Sequence, residues 1–141
     1  MSVFLRPLIA IIAGLVVGSI VNMGIITFGG KLIPPPAGAD VATMEGLTAT
    51  MHLFESKHFL TPFLAHALGT FVGALVAALI ASKRPLIPAC IVGGLFLLGG
   101  IAAVFMLPAP AWFNATDLLL AYAPATWLAL KLAQRRHPTR A

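Results

Sequence analysis

FLTPFLAHALGTFVGALVAALIASKRPLIPACIVGGLFLLGGIAAVFML, residues 59–107, holds two apolar runs parted only by Ser82-Lys83-Arg84-Pro85. A helix that crosses a hydrocarbon core about 30 Å thick needs roughly 20 apolar residues at about 1.5 Å each. Both runs meet that length, and the short basic connection makes them antiparallel neighbours. Two further segments fit the pattern on either side, giving spans at about 8–28, 59–81, 86–107 and 112–132. The fourth is the least apolar, with Asp117 near its start and Pro124 near its centre. The expected architecture is all-α: one integral membrane domain over residues 1–141, with four transmembrane helices.

Composition agrees. Of the 141 residues 60% are hydrophobic and 9% charged, against about 25% charged in soluble domains, which excludes a water-soluble enzyme or a disordered segment. The first run has a signal peptide's position but is longer than the usual apolar region of about 7–15 residues, so it is read as a retained span. The single Cys90 excludes an internal disulfide and reads as a small packing residue.

Charge placement orients the chain. Seven of the nine basic residues (Arg6, Lys83, Arg84, Lys131, Arg135, Arg136 and Arg140) fall on the side shared by both termini, while Lys31 and Lys57 lie opposite. All four acids, Asp40, Glu45, Glu55 and Asp117, are assigned to that opposite side, so the net +5 is a +7 inner and a −2 outer face. The positive-inside bias places both termini in the cytoplasm. The basic tail 133–141 then meets anionic lipid headgroups through Arg135, Arg136 and Arg140, which accounts for the charge without nucleic-acid binding.

Lipid solvates apolar side chains as well as a partner helix does, so association in a bilayer depends on small residues and buried polar contacts. Gly14 and Gly18 lead to Asn22 at steps of four on the first helix, and Gly69 and Gly73 form a matching seam on the second. The third carries Gly93-Gly94 and Gly99-Gly100, so that Gly93 and Gly100 extend the packing set. Self-association or membership of a membrane complex is expected from such faces.

The connection 29–58 is too long for a plain link. Pro34-Pro35-Pro36 favours extended chain, Gly38 a turn, and Asp40 suits a helix N-cap. Val41, Met44, Leu47, Met51 and Phe54 then recur at helical spacing, predicting an amphipathic outer helix. Glu45, Thr48, His52 and Glu55 form a polar band of about 80° beside that stripe, facing either water or the bundle mouth. A helix continuing unbroken into the second span would put Glu55, Pro62, His66 and Gly73 on one face, unless Thr61-Pro62 bends it.

Ionisable groups inside a span are costly and call for a partner and a role. His66, Asn22, Thr70, Asp117 and Tyr122 share the outer half of the bundle, with Asn22 and His66 at matching depth. One reading is a neutral His66 that fastens helices together. The other is an outward-facing cavity that binds a small solute or relays protons, with Glu55 and Asp117 as gate charges. His52 and His58, with Met44 and Met51, are weak candidates for a soft metal, lacking the spacing of an established motif, and no cofactor is predicted. Asn114-Ala115-Thr116 matches a glycosylation sequon, but Asn114 or Asp117 capping the fourth helix accounts for it, and Trp112 and Trp127 suit interfacial anchors.

IPPPAGAD at 33–40, Met44-Glu45, and FLTPFLAHALGT at 59–70 resemble a family of small uncharacterised four-helix membrane proteins of bacteria. The resemblance covers most of the chain and implies a multi-pass protein of the inner membrane, with no activity or catalytic residue attached. Small multidrug exporters, which carry a glutamate in their first helix, are set aside because none occurs there. Nucleotide motifs, a Ser-His-Asp order and paired intramembrane carboxylates are lacking as well. The leading expectation is a non-enzymatic membrane component, followed by a solute or proton transport protein, then a membrane-embedded enzyme.

Overall fold

The computed structural model describes residues 5–82 and 84–136, so Lys83 and Arg140 lie outside the described residues. It contains α1 (Leu5–Leu32), α2 (Met44–Thr50), α3 (Leu60–Ala81), α4 (Leu86–Met106), α5 (Ala111–Leu120) and α6 (Ala123–Arg136). Three helical stretches, Leu5–Leu32, Ser56–Ala81 and Leu86–Met106, are long and apolar enough to cross a membrane.

α3 is the centre of the bundle, packed against α1, α4 and α6. Its seam with α1 is nearly backbone on backbone. A Cβ added at Gly14 would stand 2.6 Å from the Gly73 carbonyl oxygen, and one at Gly18 would stand 2.7 Å from that of Gly69. At the end of the seam Arg6 Nε donates to the Ile80 carbonyl at 2.7 Å, placing a cation on the last turn of α3, where free carbonyls and the helix dipole favour it. On α4 only one glycine of each pair is packed. Gly93 makes room for Thr126 and Gly100 for the Tyr122 hydroxyl, while Gly94 and Gly99 face open space.

The segment expected as a single fourth span is instead two helices, broken at Ala121-Tyr122. Pro124 supplies no N–H, and its ring collides with the carbonyl four residues earlier, so α5 stops before it and α6 takes Pro124 into its first turn. The pair still runs the height of the bundle. Phe113 of α5 packs with Phe59 and Met51 at one end, and Ala129 and Ala133 of α6 pack with Ala78 and Ala89 at the other. The first α5 residue has Pro110 as N-cap with no side-chain cap, so neither Asn114 nor Asp117 fills that role; Asn114 Nδ2 donates to the Ala109 carbonyl at 3.4 Å.

Helix α1 extends to Leu32, so the outer connection starts later than residue 29. The amphipathic outer helix is shorter than its stripe. α2 is 7 residues long, a 3-10 turn covers Met51–Leu53, Phe54 and Glu55 are extended, and a second 3-10 turn, Ser56–Phe59, leads into α3. Continuity with the second span is thereby lost at Phe54-Glu55 rather than at Pro62, which sits in the first turn of α3, where its missing N–H costs no hydrogen bond. Thr43, not Asp40, is the N-cap of α2, its hydroxyl accepting from the Gly46 N–H at 2.9 Å. Asp40 instead accepts from the Ala42 N–H at 2.9 Å, closing the turn that precedes it.

Candidate functional site

Packing at the break of the fourth segment brings three polar side chains together. Asp117 comes from the last half of α5, Tyr122 from the break itself, and His66 from the second turn of α3. His66 Nδ1 lies 2.9 Å from both Asp117 carboxylate oxygens, and the Tyr122 hydroxyl donates to Asp117 Oδ2 at 3.0 Å. The imidazole stacks on the Tyr122 ring with centroids 5.8 Å apart. Asp117 is only 4% exposed and Tyr122 only 2%, which removes Asp117 from the outer surface and from any role as a gate charge there. A carboxylate only accepts, so Nδ1 carries the hydrogen of this bond and Nε2 is left as the free polar atom of the ring. His66 remains partly open, and Nε2 makes no hydrogen bond among the described residues.

His66 and Asp117 line a cavity of about 360 Å³. Its walls come from Ile26 and Gly30 of α1, Ala103 and Val104 of α4, and Phe59 and Phe113. Its roof is the outer connection. Val41, Leu47, Met51 and Phe54, four residues of the apolar stripe, turn into it, although the helix that spaced them is broken. The fifth, Met44, does not line it. The size lies at the low end of small-molecule sites, and the lining, apolar with a few convergent polar groups, is typical of them. Among the described residues no lysine or arginine lines it.

The polar band takes the opposite side from the cavity. Glu45, Thr48 and His52 are exposed, and the Thr48 hydroxyl is spent on the Met44 carbonyl at 2.8 Å. Glu55 pairs with Lys57 at 3.1 Å on the surface, and its N–H donates to His58 Nδ1 at 2.9 Å. His58, by contrast, is buried and borders both the cavity and an outer cleft formed with Pro34, Pro35 and Pro36. No group of three or more His, Cys, Asp or Glu side chains placed to hold a metal occurs among the described residues.

Two members of the expected intramembrane set make no hydrogen bond with the other three. Asn22 is not bonded to His66, although both line a lateral groove between α1 and α4 together with Tyr122, and its Cβ packs 2.9 Å from where a Gly69 Cβ would be. The carboxylate is the stronger partner for an imidazole N–H and takes the bond. Thr70, one turn inward from His66, is fully buried with its Oγ1 unpartnered, and lines neither cavity nor groove. The His66–Asp117 pairing was open to sequence reading only at the level of a shared half of the bundle, because Asp117 reads as a helix cap until the break turns it inward.

Comparisons of the chain with protein-family models, with curated proteins and with solved structures find no match. The fold and site define an all-helical protein with three helices able to cross a membrane and a buried His–Asp–Tyr cluster under a roofed apolar cavity.

Proposed function

We propose that this chain is a four-span, non-enzymatic protein of the bacterial inner membrane. Its outer-facing cavity binds a small, apolar-bodied solute as the binding step of transport. The observation that carries this reading is the break in the fourth segment, which is fully buried and delivers Asp117 and Tyr122 to His66 beneath the cavity. Interrupted backbone at membrane depth is tolerated only where protein covers it or a cavity meets it, and transporters place substrate sites at such breaks. A solute hydroxyl or N–H can donate to His66 Nε2 while its body fills the apolar walls. No hydroxyl or thiol hydrogen-bonds the imidazole among the described residues, which favours binding over covalent catalysis.

The test uses purified protein in nanodiscs with 4-fluorobenzyl alcohol and 4-fluorotoluene as fluorine NMR probes. The alcohol is expected to bind about tenfold tighter, the equivalent of one hydrogen bond of about 1.4 kcal/mol, and His66→Leu to erase the difference. Equal affinities in the unaltered protein would remove the reading.

A four-span topology is supported by the distribution of charge in the bundle: Arg6, Arg84, Lys131, Arg135 and Arg136 cluster at one end, with Asp40, Glu45 and Glu55 at the other. At the basic end, Arg135 and Arg136 would meet anionic headgroups, and Lys131 lies 5.6 Å over the Trp127 ring, an arrangement suited to an interface. In a Cys90→Ala background, Ala42→Cys is expected to react with an impermeant maleimide from outside, and Ser82→Cys and Gln134→Cys only after permeabilisation. Labelling of Gln134→Cys from outside would mean that α5 and α6 do not cross.

A further inference from the structure

The groove that receives Asn22 is a second chamber of about 400 Å³, walled by Ser19 and Asn22 of α1 and by Leu95, Phe96 and Gly99 of α4. It shares two lining residues, His66 and Gly100, with the roofed cavity. Ser19, Met23, Leu95 and Gly99 of its lining are exposed, so it opens on the flank of the bundle between two helices whose outer faces also carry exposed Val16, Ile20 and Leu98. In a bilayer those faces touch lipid tails. Ser19 and Asn22 lie near the middle of the 28-residue α1, and neither side chain makes a hydrogen bond among the described residues. An amide at that depth needs a polar partner that hydrocarbon does not supply.

We infer that the solute reaches His66 laterally from the bilayer, through the gap between α1 and α4, and that it is a membrane-dissolved amphiphile: one hydrocarbon chain carrying an uncharged hydroxyl head. The inference rests on the cavity reading above and names its substrate class. The junction selects the head. Among the described residues neither chamber is lined by a lysine or arginine, and Asp117, which lines the roofed cavity alone, is already paired with His66, so a carboxylate or phosphate head meets no basic side chain along the route. A hydroxyl donates to His66 Nε2 and accepts from the Asn22 amide as it passes. The chain lies along Leu95 and Phe96 during entry and under the apolar roof afterwards.

Gly99 makes the route testable, because a Cβ there meets nothing within 4 Å while the residue lines the groove and not the cavity. Gly99→Leu adds a side chain to the groove from an unobstructed Cβ position, and Gly94→Leu, with an equally free Cβ position outside both chambers, is its control. Nanodisc-embedded protein is photolabelled with diazirine-bearing 1-dodecanol or diazirine-bearing dodecanoate and mapped by mass spectrometry. Dodecanol label is expected on residues 15–23 and 95–100, displaced by unlabelled 1-dodecanol and not by dodecanoate. Gly99→Leu should reduce it at least tenfold and leave 4-fluorobenzyl alcohol binding intact; Gly94→Leu should change neither. Retained dodecanol labelling in Gly99→Leu, or equal labelling by dodecanoate, overturns the lateral route alone. Equal affinities for 4-fluorobenzyl alcohol and 4-fluorotoluene in the unaltered protein overturn the cavity reading beneath it.

Discussion

Asp117→Ala is expected to destabilise the protein by about 2–4 kcal/mol and to abolish the preference for an alcohol over its methyl analogue. Asp117 is the common acceptor for His66 Nδ1 and the Tyr122 hydroxyl, so its removal orphans two donors. An unsatisfied buried donor costs about 1–3 kcal/mol. Hydrogen bonds between membrane helices average nearer 0.6 kcal/mol, because a chain unfolded in the membrane finds other partners. The higher range applies here because Tyr122 is sealed at 2% exposure, its hydroxyl pressed against Gly100 and away from water. Tyr122→Phe removes one donor with its bond and should cost under about 1 kcal/mol, leaving His66 held by both carboxylate oxygens. If orphaned partners are the source of the loss, the double variant His66→Leu/Asp117→Leu will be less destabilised than the sum of its singles. Unfolding of purified variants in mixed micelles measures all five. Unchanged stability and unchanged alcohol preference in Asp117→Ala would leave the cluster without the importance given to it.

The parts of this fold legible in the sequence are those set by long runs and by spacing. Three apolar stretches and the glycine seams at steps of four translate into α1, α3 and α4 because no competing local signal interrupts them. The same logic predicted one helix for residues 112–132, and there a local term won: Pro124 ends α5, and the helix restarts with the break buried against α3 and α4. In the outer connection four of the five stripe residues share one apolar space, on a backbone other than the single helix that their spacing predicts. Val41, Leu47, Met51 and Phe54 do turn toward a common apolar space, but as a roof over the bundle built from a short helix and two tight turns. The polar band beside them consequently faces outward, with Glu55 held by Lys57. Residue types identified the polar groups of the site. Their pairing depended on which way the broken helix turned Asp117, and spacing along the chain contains no term for that.

Gly14→Leu is expected to be the most damaging single change in the apolar seam. The Gly14 Cβ position is 2.6 Å from the Gly73 carbonyl oxygen, 3.0 Å from the Ala77 Cβ and 3.1 Å from Val92, so a side chain there meets α3 backbone on one side and α4 on the other. Backbone cannot rotate out of the way as a side-chain tip can, and α1 must lift from α3. Overpacking of this kind costs about 1–3 kcal/mol where neighbours adjust. Here the lift also separates Gly18 from Gly69, so the upper end of the range or beyond is expected. Gly24→Leu supplies the comparison, being the same substitution on the same helix at a position with nothing within 4 Å. It adds apolar surface toward lipid and should change stability by less than about 0.5 kcal/mol. The contrast also bears on the site, since α1 walls the lateral groove with Ser19 and Asn22 and reaches the roofed cavity at Ile26 and Gly30. Displacing α1 should therefore weaken dodecanol labelling and 4-fluorobenzyl alcohol binding together, unlike Gly99→Leu, which separates them. Equal stabilities for Gly14→Leu and Gly24→Leu would mean that the close approach of α1 to α3 does not hold the bundle together.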